Sequence, residues 1–271
     1  MKTSVAVVAY NNVELVKEVI ESVKLNTSND YELIIVDNHS LDSRTRDYIR
    51  SEKDCVLLDP GKNLGCHNGF SYAFERAQGE NFVKLDDDTV IKTKDWDRML
   101  IETIEAWDKI AFIAPDSNVR HGSNVATHQF NSLHFDRITG GTLGFSCVMI
   151  PRKTYLEFGP LTSMNWKNGA LQNTLYGGEE LYYAQIAHAK GRVFGYCMNA
   201  RVEHLGNEHR DIDYVLWKYI YGYLGWTTKP LDDFKKDREL LIKGYTFWVT
   251  SSGNDWLAGQ GRKALKEMGY E

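Results

Sequence analysis

NFVKLDDD, residues 81–88, is an apolar run that closes on three consecutive carboxylates, Asp86, Asp87 and Asp88. Adjacent carboxylates repel, and the repulsion drives protons back onto them unless a divalent cation or a group of basic side chains offsets the charge. Only Lys84 and Lys92 lie near in sequence. Hard oxygen donors suit Mg²⁺ or Mn²⁺, ions that keep positions open for a substrate's phosphates instead of sitting in an all-protein cage. The competing reading is a solvated acidic turn after a strand, and the triplet alone does not separate the two.

Upstream, the runs 4–10 (SVAVVAY), 32–37 (ELIIVD) and 55–59 (CVLLD) share with 81–86 a short apolar or β-branched body and a polar end. All four predict strands. Leu15, Val16, Val19, Ile20 and Val23 recur at helical spacing between the first two, and 68–78 and 96–107 give further helices. The order βαβαβαβ predicts a mostly parallel sheet, in which ligands bind beyond the carboxyl ends of the strands. Residues 10–12, 37–40, 62–65 and 86–88 all fall there, so four polar loops are expected on one rim. Each loop also has a plain reading. Asp37, Asn38 and Ser40 are turn and helix-capping residues, and Asn63-Leu64-Gly65 is a loop with a permissive glycine that lacks both common phosphate-loop patterns.

In the second half, Gly177-Gly178-Glu179-Glu180 precedes a helix over 181–189. Two acids in a first helical turn are stabilised by the dipole, which suffices structurally. The alternative is that the double glycine exposes one acid at a cleft as a proton acceptor. His204 follows a strand over 192–202, a place where a packed histidine is commoner than a ligand. A strand over 142–151 and an insertion over 161–176 that forms a lid or wall complete this half. Trp166 in that insertion either stacks on a flat ligand face or anchors the loop.

With 271 residues and 42% hydrophobic content the chain buries a full core without staples. Cys55, Cys66, Cys147 and Cys197 are scattered with no CxxC pair, the pattern of a reduced, cytoplasmic protein without a thiolate zinc site. The seven residues 4–10 are too short for a signal-peptide core, and no apolar run reaches spanning length, which leaves at most a peripheral membrane association. A net charge of −5 offers no general attraction to nucleic acid or anionic lipid.

SVAVVAYNN, IIVDNHSLD, KNLGCHNG, VKLDDDTV, GFSCVMIPRKTYLEFG, GGEELYYAQIAHAKG and ARVEH occur in the order and with roughly the spacing of the family-2-like inverting glycosyltransferases of the GT-A fold. The chain resembles that family over about three quarters of its length, from Ser4 to His204. The resemblance implies a Rossmann-like, mostly parallel sheet with flanking helices in 1–206, with 1–110 as the nucleotide-sugar half and 111–206 as the acceptor half. The aromatic-rich 207–271 becomes a C-terminal helical extension; 214–226 is one of its helices, able to line an acceptor groove or a homo-oligomer interface. By the same resemblance Asp86 and Asp88 of a DxD motif, with His204, hold Mn²⁺ or Mg²⁺ on a sugar diphosphate, and Asp87 faces the ribose or donor sugar. Glu180 matches the general base, a glutamate where the family commonly has aspartate, with Glu179 beside it on the acceptor side. Ala9, Tyr10, Asn11, Asp37 and Asn38 align with the nucleoside pocket, Asp37 facing a uracil imide; Asn63 and Gly65 close it, and Lys62 adds charge near the diphosphate. The implied reaction is transfer of one sugar from a nucleotide sugar, UDP-linked by preference, by single in-line displacement. QxxRW, the signature of processive synthases, is absent. The expected acceptor is a glycan or glycolipid precursor, and the alternative is a hydroxymethylated base in DNA. An inactive sugar-binding module is disfavoured because the metal and base positions are all present, and a nucleotidyltransferase because VAYNN is no glycine-rich phosphate loop.

Overall fold

A computed structural model of the chain describes residues 3–28, 30–122, 124–161, 165–167, 170–172, 178–206, 212–220 and 231–270. It forms two compact units, Met1–Gly206 and Asn207–Glu271.

The first unit opens with β1 (Thr3–Ala9), α1 (Val13–Asn26), β2 (Tyr31–Asp37), α2 (Ser43–Ser51), β3 (Val56–Leu58), α3 (Cys66–Phe74) and β4 (Asn81–Asp86). After the acidic triplet come β5 (Thr89–Ile91), α4 (Trp96–Ala106), β6 (Ile110–Ser117), β7 (Asn124–Phe130), β8 (Leu133–Gly140), β9 (Cys147–Pro151) and α5 (Arg152–Phe158). Two short strands, β10 (Asn165–Lys167) and β11 (Ala170–Gln172), pair with each other before α6 (Glu179–Ala189) and β12 (Val193–His204). The main sheet runs β3-β2-β1-β4-β9-β6-β12-β8-β7, with β5 pairing the end of β12. Its first half, β3-β2-β1-β4, is parallel throughout, as the alternation of strands and helices predicts. The second half introduces antiparallel partners, β9 against β4 and β8 against β12.

Both faces of this sheet are covered, so its strands read as continuous apolar runs instead of clean alternation. Val5, Val7 and Ala9 of β1 pack with Leu33, Ile35, Val83 and Leu85 beneath Val16, Val19, Ile20 and Leu100. Ala6 and Val8 point the other way, with Ile34, Val36 and Phe82 against Phe70, Phe74 and Tyr183. Period-two alternation puts Lys84 and Asp86 on this second face with Phe82.

The second unit contains α7 (Ile212–Lys218), α8 (Leu231–Lys235), α9 (Arg238–Ser251) and α10 (Asp255–Glu267). Tyr214, Val215, Leu216 and Trp217 are buried in succession, so α7 is apolar around its circumference; residues 221–226 of the helix expected there lie outside the described residues. Leu216 lies over Gly244 of α9, where an added Cβ would fall 2.9 Å from a leucine methyl. Among the described residues no helix is long and apolar enough to cross a membrane.

Candidate active site

The acidic triplet sits where β4 ends, and its three carboxylates go to three different partners. Asp86 Oδ1 accepts from Lys84 Nζ at 2.5 Å. Asp87 Oδ2 accepts the Tyr10 N–H at 3.1 Å, tying the end of β1 to the triplet. Asp88 Oδ1 lies 3.2 Å from His204 Nε2. That last contact follows from ladder register. β5 leaves directly from the triplet and pairs antiparallel with the end of β12, setting His204 opposite Thr89, and the Leu205 N–H closes on the Asp88 carbonyl at 2.8 Å. The strand that the sequence suggests over 192–202 runs on to His204 as its last residue.

The remaining rim loops are joined by side-chain amides. Asn11, at φ +57°, accepts the Leu41 and Asp42 N–H groups on Oδ1 at 2.7 and 3.0 Å, while its own N–H donates to Ser40 Oγ. Asp37 Oδ1 accepts the Ser40 N–H at 2.9 Å, the turn geometry its sequence allows. Asn38 donates to Asn63 Oδ1 and the Gly65 carbonyl and accepts the Leu64 N–H, and its own N–H reaches the Ala9 carbonyl. With 2% exposure, the Asn38 side chain builds the wall that joins two loops. Gly65 caps α3 at φ +77°, a conformation that favours glycine, and its N–H donates to Asn63 Oδ1. Lys62 is exposed at the edge of this loop. Ala9, Tyr10, Asn11, Asp37, Asn38, Asn63 and Gly65 therefore do converge around the carboxyl ends of β1 and β2.

Lys84 is the residue whose role the sequence did not disclose. It is 1% exposed. Its ammonium donates to Asp86 and to the Phe145 carbonyl at 2.6 Å, lies over the Phe70 ring, and stands 3.8 Å from Glu179 Oε1. Burial is the largest single influence and lowers its pKa, but the charge and hydrogen bond of Asp86 together with Cys66 and Glu179 outweigh it and hold the group charged above its ordinary value. The signal in the sequence was the i, i+2 spacing to Asp86.

Glu179 and Glu180 open α6 after Gly178 at φ +89°. Glu179 is 5% exposed and turns inward to Lys84, and its Oε2 has no hydrogen-bond partner among the described residues. Glu180 is half-buried, and its Oε2 accepts the Gly178 N–H at 3.1 Å. Burial, reinforced by the charge of Glu179, raises the Glu180 pKa above the ordinary glutamate value, which makes it a stronger base. Trp166 falls in β10, but its side chain lies outside the described residues, as does most of 161–176.

No group of three His, Cys, Asp or Glu side chains among the described residues forms a metal cage. The donor set instead fits an ion that takes most of its shell from a ligand. Two donors about 2.1 Å from one octahedral ion stand about 3.0 Å apart, and the Asp88 and His204 donors are separated by 3.2 Å. Asp86, expected as a third donor, is engaged by Lys84.

The family model described as glycosyl transferase family 2 matches residues 4–155, more than half of the chain. The chain belongs to glycosyl transferase family 2. The matched segment carries the triplet and every rim loop from Ala9 to Gly65, whereas Glu180 and His204 lie beyond it. Solved structures share the GT-A fold at low sequence identity. GalNAc-T7 with UDP, GalNAc and Mn²⁺ superposes with a TM-score of 0.58 at 15% identity, over 99% of this chain and 55% of its own. The mannosyltransferase PcManGT from Pyrobaculum calidifontis, in complex with GDP-Man and Mn²⁺, gives 0.56 at 12% identity, over 98% of this chain and 74% of its own. TarS 1-349 of S. aureus gives 0.51 at 15% identity, over 98% and 79%. This family 2 chain thus spans about half the length of GalNAc-T7. No curated protein sequence matches it.

Proposed function

We propose that this family 2 member transfers one sugar from a nucleotide-sugar donor, UDP-linked by preference, to an acceptor hydroxyl with inversion at the anomeric carbon. One observation carries the reading: at a single rim, Asp88 meets His204, Asp87 meets the Tyr10 amide, and buried Lys84 links Asp86 to the helix that opens with Glu179-Glu180. The metal ligands on this reading are Asp88 and His204, and Mn²⁺ or Mg²⁺ held there would supply Lewis-acid stabilisation to a departing diphosphate. UDP and Mn²⁺ in GalNAc-T7, and GDP-Man and Mn²⁺ in PcManGT, support a nucleotide-sugar donor and a divalent ion.

The chain's own residues do the rest. Tyr10, Asn11 and Asp37 frame the nucleoside, and the Asn38–Asn63 link keeps the pocket wall in place. Asp37 favours uracil, whose imide N–H can donate to a carboxylate. Glu180, with its pKa raised, takes the proton from the acceptor hydroxyl as that oxygen forms the new glycosidic bond and the bond to the diphosphate breaks. A single displacement requires no second carboxylate nucleophile. Asp86 stays with Lys84 as part of the frame.

Labelled UDP-sugars offered with oligosaccharide, lipid-linked and hydroxymethyl-DNA acceptors test this reading. Metal-dependent transfer with inverted product is expected. No transfer and no donor hydrolysis with any nucleotide sugar would overturn it.

A further inference from the structure

We propose that Asn118 is a positioning residue for His204, its side-chain amide standing in for the missing last rung of β6. The inference rests on the reading of Asp88 and His204 as the metal pair. β6 ends at Ser117, which pairs with Val202, while β12 continues for two more residues to His204. Beyond that point Asn118 Oδ1 accepts the His204 N–H at 2.8 Å and Asn118 Nδ2 donates to the His204 carbonyl at 2.9 Å. A carboxamide is the one side-chain group with the acceptor and donor of a peptide unit, so both backbone polar groups of His204 are held by one residue. β5 closes the other side through Thr89. With its backbone clamped between β5 and Asn118, His204 presents its imidazole to Asp88 at a fixed angle, as outer-shell partners do for metal-bound histidines.

The molecule supplies its own control. Five residues earlier on β12, Asn199 Oδ1 accepts the His134 N–H at 2.7 Å and Nδ2 donates to the Ser132 carbonyl at 3.2 Å, the same kind of clip applied to a different loop. Both asparagines are exposed, so neither clip is expected to carry much stability against competition from water.

The experiment is an Mn²⁺ titration of the full chain in excess UDP, read as free Mn²⁺ by electron paramagnetic resonance, with thermal midpoints measured alongside. Asn118→Ala should weaken Mn²⁺ binding about tenfold, the lower end of outer-shell effects. Its midpoint should match that of Asn199→Ala, which should bind Mn²⁺ as the unmodified chain does. In a His204→Ala background the Asn118 change should have no further effect on Mn²⁺ affinity, because the residue it positions is gone. Unchanged affinity in Asn118→Ala, an equal loss in Asn199→Ala, or a full additional loss in the His204→Ala background each overturns this inference alone. Failure of the unmodified chain to bind Mn²⁺ overturns it together with the metal assignment beneath it.

Discussion

Lys84 is a charge in a place that tolerates none without partners. The Phe70 ring lies over it, the Phe145 carbonyl accepts from it, and its two carboxylates come from the acidic triplet and from the first turn of α6. Such an arrangement contributes little net stability over a well-packed apolar core, yet breaking it is expensive, because the surviving charges stay buried. Lys84→Met should therefore lower stability by about 3–5 kcal/mol, measured by urea denaturation, as the apolar replacement leaves Asp86 and Glu179 facing each other across the gap. A loss under 1 kcal/mol would mean that water already compensates the pair. Asp88 is different in kind, since its carboxylate has a candidate ligand function and lies at the rim. Asp88→Asn should reduce transfer on the order of a thousandfold, by analogy with the loss of other preorganised electrostatic groups, with the melting temperature little altered. Excess EDTA should abolish transfer in the unmodified chain, and full activity in EDTA would remove the metal from the reaction.

At the scale of elements, α6 decides between a helix cap and a base. Were Glu180 only a cap, Glu180→Gln would cost roughly 0.3–1 kcal/mol of stability and spare turnover; as the base, the same change should cost about a hundredfold or more in kcat. Glu179 refines the test because its charge is the second cause, after burial, of the raised Glu180 pKa. The base acts only when deprotonated, so activity should fall as pH drops through this raised pKa, with the acid limb above the ordinary glutamate value of about 4.3. Glu179→Gln removes the repulsion and should move that limb downward while burial keeps it above the ordinary value; a limb that stays put in kcat/KM profiles would show that another group titrates. The first seven elements show why parts of this were legible in sequence. β1, β2 and β4 are buried on both faces and wrote themselves as apolar runs. β7 has an exposed face, β5 is three residues long, and their places depend on partners far away in sequence, so no local pattern marked them. The same distance hid the Asn118–His204 clip, while the i, i+2 relation of Lys84 to Asp86 was on the page but lacked the burial that gives it meaning.

Across the whole molecule, charge supplies a test between the two acceptor classes. Residues 207–271 hold ten basic and ten acidic side chains, so the net −5 of the chain resides entirely in 1–206, the unit that contains the candidate donor site. A transferase that reads duplex DNA has to neutralise phosphates with lysine and arginine, releasing counterions and making its affinity fall steeply with salt. Among the described residues, four of the basic side chains of this unit are paired with its own acids: Arg120 with Asp116 and Asp136, Arg192 with Glu157, Lys92 with Glu203, and Lys84 with Asp86. A neutral oligosaccharide makes no such demand and is held by hydrogen bonds and aromatic faces. Transfer to an oligosaccharide or lipid-linked acceptor should accordingly be detectable and nearly flat between 50 and 200 mM salt, on the order of twofold, whereas a protein making six or more phosphate contacts would lose about 10³-fold or more in affinity over that range. Hydroxymethyl-DNA should bind weakly and accept no sugar. Product formed on hydroxymethyl-DNA, with a steep salt slope in its KM, would reverse the assignment and require a basic groove that the net charge conceals.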